Sequence, residues 1–319
     1  MKRPGDVGKD FDEYAKVWTE QQYELEVKFS AEGLVRDGSS TEVQRPGDEW
    51  GEAEALRRQY AALIDHLNLP DTVSVLEIGA GGGRSTAVLL DVLGDRAGRY
   101  HVIDVADGFV DTLRARVTRE LDIHIVSDVD VSMIESGSID LVLAQSSWSH
   151  ISLYDQYRYL RDLRRVLKHR APIVVSGLFL LGVNDDWTWN RFRRRVHQID
   201  ADIQGVYHEF TSISAVAEML GRLGYEDATV LAHGFVARRG RLTDDRHHAR
   251  LPDGFSVRYS TGIDAWLSGG GSAVLQLPPG AATTGPASAR RRAAVVRTRL
   301  VQIRRGLLRR VRAFARARG

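Results

Sequence analysis

The chain has 319 residues, with 44 basic and 42 acidic side chains and no cysteine. That length allows one large α/β domain with additions or two small domains. The missing cysteines exclude disulfides, Cys-type zinc sites and a thiol nucleophile. No run of eighteen apolar residues suggests a membrane span, and the opening M-K-R-P-G-D-V-G-K-D lacks the apolar core of a secretory signal. A cytoplasmic location is the expectation. The near-neutral total conceals an asymmetry: residues 289–319 hold twelve arginines and no acid, leaving 32 basic against 42 acidic residues elsewhere. An acidic body with a basic tail points to an anionic surface as the tail's partner.

Residues 1–50 are polar and spotted with aromatics such as Phe11, Tyr14 and Trp18. From Glu52 to Leu67, Leu56, Tyr60, Leu63, Ile64 and Leu67 keep helical spacing. Val73 to Ile78 reads as a buried strand, broken by Gly79, Gly81, Gly82 and Gly83 before a helix from Ser85 to Leu93. A strand ending in glycines and feeding a helix lets a ligand approach bare backbone near unpaired N–H groups. The spacing is G-x-G-x-G, and Arg84 stands where a dinucleotide fingerprint would place its third glycine.

R-Y-H-V-I-D is a second strand ending at Asp104, where one carboxylate could accept both hydroxyls of a ribose. Phe109 to Leu121 reads as helix and Ile123 to Ser127 as a third strand, followed by Asp128 and Asp130. S-I-D-L-V-L-A-Q, from Ser138 to Gln145, is a fourth strand, Ser152 to Lys168 a helix, and A-P-I-V-V-S-G a fifth strand. A sixth strand is expected over Asp227 to Ala232. The seventh is either Phe235 to Arg238 or Ser272 to Leu277, and the later one is favoured because Gly234 alone offers little to turn a hairpin. Residues 280–289 read as a linker, after which Val296, Leu300, Ile303, Leu307, Val311 and Phe314 form one apolar stripe among arginines. A basic amphipathic helix of this kind suits an anionic membrane surface, with RNA binding or packing against protein as rivals.

The glycine loop, Asp104, I-D-L-V and R-V-L-K, taken in order over residues 73–178, resemble the class I S-adenosylmethionine (SAM)-dependent methyltransferases. The resemblance implies a Rossmann-like, doubly wound, seven-stranded, mainly parallel sheet over residues 51–279. Residues 1–50 would be a cap over the cofactor cleft and 280–319 the linker and basic helix. It implies SAM as cofactor, held by Glu77, Gly79, Ala80, Gly81, Gly83, Asp104 and Gln145, with Asp128 and Val129 at the adenine and Asp130 as the rival acid. His150 falls where small-molecule and sugar O-methyltransferases often keep a histidine, and an imidazole base suits a hydroxyl acceptor at neutral pH. Tyr154 and His208 are reserves for that role. Trp148, Tyr154 and Trp187, with Trp189, are candidate substrate contacts. Q-S-S-W replaces the Asn/Asp-Pro-Pro-aromatic sequence of base-amine methyltransferases, so nucleic acid is not the expected acceptor. A glycan, glycolipid or small-molecule hydroxyl is, with a secondary-metabolite N- or O-acceptor, or a non-catalytic SAM-fold protein, as the alternative. No compact metal motif is present, and enzyme docking at the inner membrane face would follow from the tail.

Overall fold

The computed structural model describes residues 4–20, 53–181, 188–189, 192, 208–240, 255–260, 263–268 and 273–276. The chain divides into two units, Met1–Leu277 and Pro278–Gly319. The second unit, with the expected basic helix, lies outside the described residues, as do residues 21–52, Asp185, Asp186 and Trp187.

The first unit is built on β1 (Val73–Ile78), flanked by β2 (Ala97–Asp104) and β4 (Leu141–Gln145), with β3 (Asp122–Ile125) and β5 (Pro172–Ser176) beyond them. All five run parallel. Near-continuous apolar strands such as V-S-V-L-E-I and L-V-L-A are buried on both faces, as parallel strands between two helical layers must be. On one face Leu76, Val142 and Ile173 pack with Leu160 and Leu163 of α5 (Leu153–Val166) and Leu220 of α6 (Ile213–Arg222). On the other, Val75, Leu141 and Leu143 pack with Leu63 and Leu67 of α2 (Ala53–Leu67) and Leu89 and Leu93 of α3 (Arg84–Leu93). Each such leucine contributes roughly 1.5–3 kcal/mol by leaving water. α4 (Val110–Arg116) and β3 both end earlier than their sequence spans suggest.

The sequences S-I-D-L-V and R-V-L-K turn out to be joined. Lys168 Nζ lies 2.8 and 2.9 Å from the carboxylate oxygens of buried Asp140, which also accepts the Ser74 N–H at 3.0 Å. The turn after Lys168, where His169, Arg170 and Ala171 stand, closes with Arg170 at φ 61. Its guanidinium holds Asp227 at 2.5 Å, and its N–H donates to the Arg239 carbonyl at 3.0 Å.

The seventh strand is the earlier candidate, which corrects the preference for Ser272–Leu277. β8 (Tyr225–Leu231) and β9 (Gly234–Arg239) form an antiparallel hairpin through the two-residue turn Ala232–His233, with Leu231 opposite Gly234. Gly234 is therefore a strand residue and not the turn. Its glycine is needed because a Cβ there would lie 2.0 Å from the Val175 carbonyl oxygen on β5. β9 slots antiparallel between β5 and β8. The later segment becomes β11 (Ala273–Gln276), antiparallel to β10 (Ser256–Ser260). β10 and β11 extend the sheet beyond the expected seven strands, to nine among the described residues, in the order β11-β10-β8-β9-β5-β4-β1-β2-β3. β6 (Phe179–Leu181) and β7 (Phe210–Ser212) pair separately, in parallel.

Part of the expected N-terminal cap forms α1 (Pro4–Glu20), which lies against the loop leaving β2. Asp12 accepts the Gly108 N–H at 2.8 Å, and Gly8 fits so closely that a Cβ would lie 2.1 Å from the Val105 oxygen. Ala15 packs with Ala106 and Phe109. Among the described residues no helix is long and apolar enough to cross a membrane.

A Gly234→Ala variant has only backbone to push against at Val175, so it should lose about 1–3 kcal/mol of stability. The thermal midpoint followed by circular dichroism should fall by about 5 °C. An unchanged midpoint would contradict the close β5–β9 approach.

Candidate active site

At the C-terminal end of β1 the chain buries an acid. Glu77 has no exposed surface, and its carboxylate accepts three hydroxyls: Ser85 Oγ at 2.7 Å, Thr86 Oγ1 at 2.6 Å and Tyr100 OH at 2.7 Å. Ser85 and Thr86 lie in the first turn of α3 and Tyr100 on β2, so one carboxylate ties β1 to both its sequence successor and its sheet neighbour. Burial pushes this carboxyl up from its ordinary range while the hydroxyl donors oppose the rise. The positive end of α3 favours the charge in the same place. Tyr60 of α2 extends the network, 3.0 Å from Ser85 Oγ.

Between Glu77 and α3 the glycines divide the work. Gly79 (φ 74) faces Ser147, whose Cβ would be 2.3 Å from an added Cβ, and Ser147 Oγ donates to the Ile78 carbonyl at 2.6 Å. Gly83 (φ 78) caps α3 and faces Leu113, where an added Cβ would come within 2.4 Å of Cδ1. Gly81 (φ 51) alone of the three has open space where its Cβ would stand. Two glycines therefore let protein parts touch, and the middle one leaves a bare cradle. Ala80, between them, is buried.

Asp104, at the tip of β2, holds that cradle in place. Its Oδ2 accepts the Gly81 N–H at 2.9 Å, and its Oδ1 accepts those of Val105 at 2.7 Å and Ala106 at 3.1 Å. Burial pushes its carboxyl up, against the pull of these backbone donors. A carboxylate has about four lone-pair sites, so acceptor capacity remains for a ribose. Asp128 is more exposed and grips the Arg158 guanidinium through both oxygens, at 2.6 and 2.9 Å, while Oδ1 also takes the N–H of buried Val129 at 2.7 Å. Asp130 accepts the Ser132 N–H at 2.7 Å. Gln145 ends β4 with its Oε1 taking Ser176 Oγ at 2.6 Å and Tyr60 OH at 3.4 Å.

Beyond Gln145 the chain bends sharply through Ser146 (φ 60) into a short 3₁₀ turn, Trp148–His150. His150 packs edge-on against Phe11 of α1, with ring centroids 5.0 Å apart, and 4.8 Å from the ring of His208. Glu209 donates its N–H to the Ser149 carbonyl at 2.6 Å, which brings His208 to this turn. Trp148 is different. Expected at the substrate, it is fully buried against Tyr159 and Phe235, because the turn directs its indole into the sheet core; it presents no surface to a substrate. Tyr154 is exposed, with the Arg158 guanidinium 5.9 Å from its ring centroid. Sequence reasoning missed Ser147, Arg158 and Phe11 as parts of the site. Phe11 had a faint signal, an aromatic in a polar leader, whereas the partners of Ser147 and Arg158 exist only in three dimensions. Among the described residues no group of three His, Asp or Glu could hold a metal.

The open backbone at Gly81 beside the tethered carboxylate of Asp104 fits a nucleoside cofactor. A family model described as "Methyltransferase domain" matches residues 75–170, the stretch that holds all of these elements. Residues 75–170 thus form a methyltransferase domain. Lovastatin diketide synthase mokB of Monascus pilosus is 29% identical over 137 residues, 40% of this chain and 5% of that protein. Trichosetin synthetase PKS-NRPS1 of Gibberella fujikuroi is 32% identical over 164 residues, 49% of this chain and 4% of that protein. The methyltransferase chain thus spans about a twentieth of these relatives' length. Among solved structures, a SAM-dependent methyltransferase of Methanosarcina mazei is 16% identical, with a TM-score of 0.42 over 56% of this chain and 97% of that one. Phosphoethanolamine N-methyltransferase 1 of Haemonchus contortus is 14% identical, with a TM-score of 0.48 over 84% and 53%.

Glu77→Gln keeps the shape but offers one acceptor oxygen where the carboxylate offers two. Loss of charge-assisted bonds should cost about 2 kcal/mol of stability and weaken SAM binding measured by calorimetry. Wild-type stability with wild-type affinity would contradict the role given to this network.

Proposed function

We propose that this methyltransferase acts on a small-molecule acceptor of secondary metabolism, at a hydroxyl, with His150 as the base that receives the acceptor's proton. The observation carrying this reading is the position of His150. Its turn begins at Ser147, which is bonded to the end of β1 and touches Gly79, so the imidazole stands on the element that borders the cofactor loop. The polyketide synthases among the relatives support a secondary-metabolite acceptor over a polysaccharide. The burial of Trp148 removes one of the indoles on which a sugar-stacking reading relied.

The residues divide as follows. Gly81 and Asp104 would hold the nucleoside, with Gln145 at the cofactor end of β4. Asp128 is proposed for the adenine, its orientation set by Arg158. When bound, SAM supplies an electrophilic methyl whose bond to sulfur breaks with the electron pair left on sulfur. The chain's own contribution is alignment and proton removal. Alignment of two reactants can be worth several kcal/mol. A well-placed imidazole adds roughly 10²–10⁴-fold, and His208, ring to ring with His150, can share or relay the proton. α1, through Phe11, covers the imidazole on one side and limits water there. The basic stripe of residues 289–319 is proposed to bring the enzyme to anionic membrane; twelve arginines without an acid are the support for that.

His150→Ala should leave SAM affinity unchanged in calorimetry and lower turnover of labelled SAM about a hundredfold or more. A near-normal rate would remove His150 as the base.

A further inference from the structure

Among the described residues four tyrosines are buried: Tyr60, Tyr100, Tyr159 and Tyr225. Three bond their hydroxyls to protein. Tyr60 OH lies 3.0 Å from Ser85 Oγ, Tyr100 OH donates to Glu77 at 2.7 Å, and Tyr225 OH donates to the Leu160 carbonyl at 2.8 Å. Tyr159 differs. It is 2% exposed, and its hydroxyl has no hydrogen-bond partner among the described residues. An interior phenol ordinarily finds a partner, so an orphan calls for a physical reason.

The placement of Tyr159 supplies one. It stands in the second turn of α5, which starts just after the Trp148–His150 turn at the C-terminal end of β4. Helical side chains lean toward the helix N-terminus, so this phenol leans toward the strand ends that carry the cofactor loop. Its ring lies 6.0 Å from that of Trp148, and its apolar cluster takes in Ile78 and Ile103 at the ends of β1 and β2 and Val129 after β3. The preceding residue, Arg158, reaches Asp128 with bonds of 2.6 and 2.9 Å, so this part of α5 faces the loop after β3. Burial pushes the phenol up, and the carboxylates of Asp104, Asp155 and Asp128 push it the same way, with Arg158 opposing. The hydroxyl therefore keeps its proton at neutral pH and can donate it in a hydrogen bond. Asp155 is already bonded to Ser152 at 2.7 Å and Arg158 at 3.1 Å. The other two acids are those assigned to the ribose and the adenine.

We propose that the Tyr159 hydroxyl is a further contact to the nucleoside of the cofactor, donating a hydrogen bond to the adenosine between the groups held by Asp104 and Asp128. The inference rests on the SAM reading of this site and adds a residue that no motif marks. A hydroxyl with no protein partner breaks no existing bond when it meets a ligand, and its ring is already fixed by packing, so little ordering opposes the contact.

The test is calorimetric titration of the full-length chain with S-adenosylhomocysteine, paired with the thermal midpoint of the ligand-free protein. Tyr159→Phe removes one oxygen and keeps the ring. It should raise the Kd about three- to tenfold and leave the midpoint unchanged or higher, since no protein bond is lost. Tyr225→Phe should do the reverse, lowering the midpoint at unchanged Kd, because that hydroxyl holds the Leu160 carbonyl. An unchanged Kd for Tyr159→Phe overturns the proposal. So does a lowered midpoint, which would mean that its hydroxyl serves the fold. Asp104→Asn separates this claim from the cofactor reading. If Asp104→Asn weakens binding and Tyr159→Phe does not, the cofactor site stands and Tyr159 falls. If only Tyr159→Phe weakens it, the contact stands and the role of Asp104 falls. A wild-type chain that does not bind S-adenosylhomocysteine would remove both.

Discussion

The site depends on a buried carboxylate. Glu77 reaches from the last turn of apolar strand into the start of a helix, and satisfies itself with three hydroxyls supplied by two elements. Burying an ion in this way is costly unless it is fully bonded. These bonds tie β1 to the first turn of α3 across the four-glycine loop. What remains accessible is the backbone at Gly81, pinned from the opposite side by Asp104. The two acids thus act on the loop from two strands, one below it and one beside it.

The same economy governs the far wall. β4 must pass close to β1 for Ser147 to reach the Ile78 carbonyl, and it can do so only because residue 79 has no side chain. The sharp bend at Ser146 is matched by Gly177, where a Cβ would stand 2.5 Å from the Ser146 Cα. Through these contacts the turn carrying His150 is referenced to the cofactor loop by short backbone links, and α1 then sets Phe11 over it. Positioning of this kind suits a displacement reaction, in which orientation contributes much of the barrier reduction.

Much of this was legible in the sequence because it depends on spacing. Apolar runs ending in glycine, an acid at the tip of the second strand and D-L-V followed by R-V-L-K locate five parallel strands and the ligand edge without any knowledge of contacts. What failed was information held by tertiary neighbours. Gly234 reads as a poor turn, when its role is to admit the Val175 carbonyl, so the sequence favours a seventh strand at Ser272–Leu277 in place of Gly234–Arg239. Trp148 read as a surface aromatic beside the site, but a single 3₁₀ turn sends it inward. Glu77 read as a ligand contact, and its oxygens in the structure face protein hydroxyls.

The central claim is that the backbone at Gly81 and the carboxylate of Asp104 receive the nucleoside of SAM. A crystal structure of the chain with S-adenosylhomocysteine tests it most directly. The ribose hydroxyls should lie within hydrogen-bond distance of Asp104, with the nucleoside against Gly81 and the thioether on the side of β4 and His150. A nucleoside bound elsewhere, or a loop closed over Gly81 with Asp104 turned away, would contradict the account.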